Sequence, residues 1–362
     1  MVKSIYIHIP FCSNICSYCD FSKLYYYPEL VNKYLLALES ELSSIPLDEK
    51  YKTIYIGGGT PTSLTSDELE ILLTMLDSFD LEEEYEFTVE CNIENLDEEK
   101  LIIMKNHRVN RLSIGIQSFN QDKLNYLGRN YKYEDIKPTI SLAKEYISNI
   151  NVDLIYAVNN ETLSDLEKDI DSVLDLDINH ISTYSLILEP NTKLYNNDTK
   201  YIDEELDRKM YDLICKKLKN NGYNHYEISN FSKPGFESKH NMTYWMNKEY
   251  YGIGLGASGY INDIRYTNTK SINKYIDEEF RYEEEYQTDD IKIENEIILN
   301  FRTSNGINKR KFFDKYSFDL KDRYKIDDLI KNNIIIETND KYVINEDYWY
   351  LLNEILLRFI EE

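Results

Sequence analysis

Six times in its first 190 residues or so the sequence sets a short β-rich run ahead of a longer amphipathic one. The β-rich runs are residues 4–8, 53–56, 86–90, 111–115, 151–155 and 180–186. Helical periodicity predicts helices over 28–44, 66–78, 97–106, 133–148 and 163–176. Pro28 suits a first helical turn, and Asp67 and Glu68 put carboxylates at the positive end of the second helix. Parallel neighbours need crossovers of this length, so the alternation implies a parallel sheet. An open doubly wound sheet and a complete or partial barrel both satisfy it, and both gather ligands at the carboxyl ends of their strands.

At or just past those ends lie "HIPFCSNICSYCDF", "GGGTPT", Glu90, "GIQSF" and Asp153, which points to one composite site. The chain has five cysteines, an odd number unsuited to a secreted disulfide framework, and no cleavable signal pattern is read at its start. A soluble cytoplasmic protein with reduced thiols is expected. Three of the five, Cys12, Cys16 and Cys19, stand in C-x3-C-x2-C spacing. Zinc with a fourth ligand is the simple alternative, but the usual pair-and-pair spacing is missing and Cys91 and Cys215 are distant. One loop so spaced can hold three corners of a [4Fe–4S] cubane and leave the fourth iron open to a ligand.

With an aromatic before its third cysteine, this motif resembles that of the radical S-adenosylmethionine (SAM) enzymes. The resemblance implies a partial (β/α)6 barrel in which SAM chelates the open iron and an electron from the cluster cleaves it. "YIGGGTPTSL" is similar to the segment that approaches the amino and carboxylate end of SAM in that family, making Gly58, Gly59 and Thr60 candidates. Three glycines let backbone come close and offer amides to a ligand. Glu90 resembles a family glutamate beside the SAM ribose. Gln117 in "SIGIQSF", Arg129 in "LGRNY" and Asp153 in "NVDLIY" match further SAM positions, Arg129 with a donor fork suited to a carboxylate. Tyr6 and Tyr18 flank the cluster at matching places, and His8 is expected to support its loop.

In order and spacing these motifs are similar to the oxygen-independent coproporphyrinogen oxidase family over nearly the whole chain. Within it the HemW-type heme-chaperone branch is the nearer match. Phe21 stands where the dehydrogenating branch has a further cysteine, and "KHNMTYW" carries the HNxxYW motif of the chaperone branch. The resemblance then implies a heme or porphyrin ligand with His240 as its contact, a heme acceptor protein, and an electron donor such as a flavodoxin or ferredoxin. The alternative it leaves is a radical SAM oxidoreductase acting on coproporphyrinogen III or another substrate. Four departures stand near the site. Ile93 replaces a proline, and "DLIYAVNNET" has Ala157, Asn159 and Glu161 where the family has "DLIxGxPxQT".

Beyond residue 200 a long helix is predicted over 202–220, and the aromatic, glycine-rich stretch after it reads as irregular packed structure. From about residue 288 helices are expected over 291–301, 309–316 and 320–332. A hairpin about Asn339-Asp340 and a final helix to the end follow, a winged-helix-like α+β pattern. The expected division is 1–222 for the barrel, 223–287 for the extension bearing HNxxYW, and 288–362 for the C-terminal unit. Against 41 Lys and Arg stand 65 Asp and Glu, a formal charge of −24, which opposes nucleic-acid binding by the winged-helix-like tail. No apolar run is long enough to span a bilayer, so an integral membrane protein is not expected.

Overall fold

The computed structural model describes residues 2–197 and 199–360. Six parallel strands, β1 (Ser4–Ile9), β2 (Lys50–Gly58), β3 (Asp80–Asn92), β4 (Arg111–Gln117), β5 (Asn149–Tyr156) and β6 (His180–Ser185), lie side by side in chain order. All six expected strands are present, and their open, curved arrangement is the expected partial barrel. Beyond β6 the sheet continues antiparallel with β7 (Asn224–Glu227) and β8 (Asn230–Ser232). At the opposite edge β9 (Tyr251–Gly254) pairs parallel with β1, giving nine strands in the order β9-β1-β2-β3-β4-β5-β6-β8-β7.

Successive strand residues point to opposite faces, and the sequence exploits this period. Ile5, Ile7 and Ile9 of β1, Ile54 and Ile56 of β2, and Phe87 and Val89 of β3 enter the apolar core. It is covered by α1 (Pro28–Leu42), α2 (Ser66–Leu76), α3 (Glu98–Asn106), α4 (Gln121–Leu127), α5 (Ile136–Tyr146) and α6 (Leu163–Leu174). Pro28 occupies the first turn of α1 as expected, and Thr65 and Glu68 close a reciprocal capping box on α2. The intervening strand residues are Tyr6 and His8, Tyr55, Glu86 and Glu90, Arg111 and Ser113, and Asn151 and Asp153. They form a polar concave face.

The stretch after α7 (Glu204–Asn220) is more regular than expected. Besides β7 to β9 it holds α8 (Lys239–Trp245) and a separate antiparallel sheet of Ser258–Ile261, Ile264–Asn268 and Arg281–Tyr286. Strands of three to six residues carry too few alternations to announce themselves.

Helix α8 closes the amino-terminal mouth of the barrel. Ser4 Oγ lies 3.0 Å from Thr243 Oγ1, and Thr53 Oγ1 lies 2.8 Å from His240 Nδ1. The buried Glu86 carboxylate accepts the amides of Lys239 (3.0 Å) and His240 (2.9 Å) and the Ser238 hydroxyl (3.4 Å). Carboxylate oxygens at a helix amino end satisfy free N–H groups and match the helix dipole. The Arg111 guanidinium, 1% exposed, faces the same carboxylate at 3.9 Å.

Following α9 (Asp289–Asn300) and α10 (Lys309–Tyr316), the expected helix over 320–332 breaks into Leu320–Arg323 and Asp327–Lys331, because Tyr324 turns to extended backbone and buries its ring. A hairpin of Ile335–Glu337 and Lys341–Ile344 follows, with Ile307–Asn308 as third strand. Phe301, Phe312, Tyr342, Trp349 and Leu352 give this region its own core. The expected closing helix is Leu352–Leu357, and residues 361–362 of that expectation lie outside the described residues. Among the described residues no helix is long and apolar enough to cross a membrane.

Removing the Glu86 carboxylate leaves a buried guanidinium and three donors without their acceptor, so Glu86→Ala is expected to lose about 3 kcal/mol of stability. Glu86→Gln keeps an acceptor oxygen and loses less. Urea denaturation of the three chains checks this, and a loss under about 1 kcal/mol for Glu86→Ala contradicts a closing role for the carboxylate.

Candidate functional site

A cavity of about 460 Å³ opens at the carboxyl ends of the strands, within the range of small-molecule sites. Its wall brings together Cys12, Cys16, Cys19 and Tyr18 from the first loop with Gly58, Gly59, Thr60, Glu90, Gln117, Arg129 and Asp153. Two expected site residues, Tyr6 and His240, are not on that wall.

The cysteine loop is held from several sides. His8 Nε2 donates to the Ser22 carbonyl at 2.7 Å, and the Tyr6 hydroxyl donates to His8 Nδ1 at 3.0 Å, so His8 supports the loop from beneath. Burial drives the His8 imidazole down to about 4, which keeps it neutral for these roles. All five cysteines are free thiols. Among the described residues no group of three His, Cys, Asp or Glu side chains is drawn together tightly enough to hold one metal ion. A cubane takes one thiolate at each of three separate irons, and three thiols on one loop suit that demand.

The glycine run acts differently from the expectation. The Gly58 amide donates to Glu90 Oε2 (3.0 Å), the Gly59 amide to the Ile9 carbonyl (2.8 Å) and the Thr60 amide to the Phe11 carbonyl (2.8 Å). These amides therefore brace the loop and Glu90 rather than reach for a ligand. At Gly58, with φ of 118°, a Cβ would strike the His8 ring at 2.8 Å; at Gly59 it would strike Phe11 backbone at 2.7 Å. Only glycine lets the strand end pass this close to the cysteine loop.

Glu90 also accepts the Tyr55 hydroxyl at 2.8 Å. Burial pushes its carboxyl up to about 7, aided by the nearby Asp153 and opposed by the Tyr55 and Gly58 hydrogen bonds. Burial raises Asp153 as well, although Asn151 Nδ2 donates to it at 2.8 Å. Arg129 donates to Asn92 Oδ1 and to the Tyr18 hydroxyl, each at 2.8 Å, while its buried Nε has no hydrogen-bond partner. Two of five guanidinium donors are thus spent and three remain for an anion. Asn92 in turn donates to Thr60 Oγ1 at 2.9 Å, joining the two strand ends.

Tyr55, Asn92, Arg111 and Asn151 are wall residues that the motifs did not single out. Their signal is the strand period: Asn92 stands two beyond Glu90, and Asn151 two before Asp153. Ile93 is buried in a short helical turn and Asn159 lies in the turn beyond β5. Ala157 adopts a φ of 61°, a left-handed conformation that favours the glycine of the resembling family and costs an alanine about 1 kcal/mol. Glu161 has become part of a buried network. Lys123 Nζ lies 2.5 Å from Glu161 and 3.1 Å from Asp169, and Asp169 accepts the Ser118 hydroxyl (2.6 Å) and the Phe119 amide (2.7 Å). That network anchors the turn that follows Gln117.

His240 requires a correction. Its side chain is fully buried inside the barrel, with Nδ1 on Thr53 and Nε2 2.7 Å from the Tyr244 hydroxyl, and its ring stacks on Tyr55 at 5.0 Å. Both ring nitrogens are occupied, so this arrangement leaves no position for a heme iron, and burial draws the ring down to about 3. The histidine acts here as a polar core residue beneath Tyr55 and Glu90.

Residues 6–173 match the radical SAM superfamily. The chain is 39% identical to the heme chaperone HemW of Lactococcus lactis over 99% of this chain and 97% of that one. It is 39% identical to HemW of Bacillus subtilis across the whole of both chains, and 30% identical to HemW of Escherichia coli over 99% of this chain and 98% of that one. In fold it is similar to the Escherichia coli coproporphyrinogen III oxidase HemN, a radical SAM enzyme, with a TM-score of 0.86. That likeness covers 99% of this chain and 90% of the other at 20% identity. A radical SAM domain implies a [4Fe–4S] cluster and SAM.

The raised Glu90 carboxyl has a consequence for stability. In the free chain, folding tightens its hold on a proton from the ordinary value near 4.5 to about 7. Across that window the folded state binds more protons than the unfolded one, so stability falls as pH rises and the loss is complete above about 7. Glu90→Gln removes this contribution and flattens the profile, while Glu227, also pushed up to about 7 by burial, keeps part of the slope. Urea denaturation at pH values from about 5 to 8 tests this, and parallel profiles for the two chains refute it.

Proposed function

We propose, from the premise that this chain belongs to the HemW family of the radical SAM superfamily, that it binds heme and delivers it to an acceptor protein while a [4Fe–4S] cluster and SAM occupy the strand-end cavity. The observation that carries the reading is the wall itself, where three free thiols stand with Glu90, Gln117, Arg129 and Asp153 around one opening. Cys12, Cys16 and Cys19 would hold the cluster. Arg129, with three donors unspent, would take the carboxylate of SAM. Glu90 and Asp153 would accept hydroxyl hydrogens, Glu90 from its fixed place between Tyr55 and the Gly58 amide.

When bound, the cluster supplies the electron for reductive cleavage of SAM, and a flavodoxin- or ferredoxin-like protein suits the role of donor. The chain's own part is orientation and exclusion of water. Phe21, 64% exposed at the mouth, stands where the dehydrogenating branch resembled by this sequence has a further cysteine. Its apolar ring cannot replace that ligand, which favours heme delivery over coproporphyrinogen oxidation.

Anaerobic reconstitution of the purified chain is expected to give iron–sulfur absorption that Cys12→Ala, Cys16→Ala or Cys19→Ala each abolishes. Hemin titration is expected to give a one-to-one complex that passes its heme to an apo-acceptor, with no conversion of coproporphyrinogen III in the presence of SAM and reductant. A reconstituted chain holding only zinc refutes the cluster, and turnover of coproporphyrinogen III makes the protein an oxidase.

A further inference from the structure

Resting on the reading of this chain as a heme carrier, we infer that the heme sits in a second cavity, on the other side of α8 from the cofactors. Its propionates would lie on Lys52 and Lys248, with its iron against a thioether of the Met242–Met246 pair.

Space makes the first argument. The strand-end cavity, about 460 Å³, is assigned to a cluster and SAM, whereas the second, bounded by the amino ends of β1 and β2, α8 and the C-terminal region, holds about 940 Å³. Helix α8 is the partition: Asn241 lines the first cavity, while Met242, Thr243 and Met246 line the second. Met242 and Met246 are one helical turn apart, so their side chains share a face, and the Met246 amide donates to the Met242 carbonyl at 3.0 Å. Methionine sulfur is a recognised axial donor to heme iron, and flexible thioethers adapt to an apolar ring. Ile293, Tyr260 and Tyr316 add apolar and aromatic surface, suited to a porphyrin face, to a lining otherwise rich in charge.

Charge makes the second argument. In a chain of formal charge −24, this cavity is lined by six lysines against four carboxylates. Lys292 is held by Asp263 (3.2 Å) and Asp289 (2.9 Å), Lys315 by Glu296 (2.5 Å), and Lys239 donates to the Glu84 carbonyl (2.8 Å). Glu249 is turned to the Asn262 amide. Among the described residues Lys52 and Lys248 form no ion pair, and they share one side of the opening. Partial burial, and after it the charges of Lys52 and Lys311, hold Lys248 below the ordinary lysine value. A ligand with an apolar disc and two carboxylates on one edge matches this arrangement.

The test is hemin titration of the full chain, followed by absorption and magnetic circular dichroism. Lys52→Glu with Lys248→Glu, both solvent-accessible at the cavity rim and outside the apolar core, is expected to weaken hemin binding at least tenfold. Hemin dimethyl ester, which lacks the carboxylates, is expected to bind this variant and the parent alike. Met242→Leu with Met246→Leu is expected to remove the thioether-to-iron signature at unchanged melting temperature. Unchanged affinity in the lysine variant overturns the seat, and an unchanged spectrum in the methionine variant overturns the iron contact. Either result leaves the heme-carrier reading standing. A parent chain that binds no hemin at all instead overturns that reading.

Discussion

One carboxylate decides whether this barrel has a floor. Glu86 lies on the concave face of β3, where a charge has no solvent, and it is stabilised by the amino end of α8 on one side and by Arg111 on the other. The helix is only seven residues long and would not persist alone in water. It is ordered by this anion, by its contacts with Ser4 and Thr53, and by the packing of its ring-bearing side. The polar interior above it, from Arg111 through Tyr55 to Glu90, is enclosed because that helix is in place.

The concave face is built from hydrogen-bonding residues in layers, each satisfying the next. Asn151 shows the density: its amide nitrogen reaches Ser113 and Asp153, and its oxygen takes His180 (2.6 Å) and Ser182 (3.1 Å). Around Asn151 every side-chain polar atom is engaged, which makes that part of the face rigid and specific, whereas Arg111 Nε and Arg129 Nε nearby have no hydrogen-bond partner. Such rigidity suits the orienting role proposed for the strand-end cavity. It also means that the two faces of α8 are mechanically close: His240 stacks on Tyr55, Tyr55 holds Glu90, and the residues flanking His240 in sequence look into different cavities.

Much of this was legible before any coordinates. The six strands announced themselves because each keeps apolar residues on one face and meets a helix of sufficient length. The cysteine loop, Glu90, Gln117 and Asp153 were expected at or just past strand ends, whereas Arg129, which follows α4, was singled out by its motif alone. What escaped was direction. The HNxxYW motif marks α8 as special but does not say which way the imidazole points, and a ring with two hydrogen bonds inside a barrel looks, in sequence, like a ring awaiting a metal. The glycines misled in a similar way, since freedom to approach a ligand and freedom to approach a neighbouring loop are the same freedom. Short edge strands such as β7 and β8 owe their conformation to the partner they pair with, so their own residues carry little signal.

The pairing of β9 with β1 has a consequence in time. On the ribosome β1 and the cysteine loop emerge before the rest of the barrel, and β2 can join one side of β1 once about fifty more residues have followed; the other side waits for Tyr251–Gly254. For most of synthesis, then, the strand leading into three thiols is an open edge with unpaired backbone groups, the kind of surface that invites foreign strands. The barrel's first-made strand is among its last to be fully sheltered, so the nascent chain passes through a long interval in which its cysteine loop is present but not yet held.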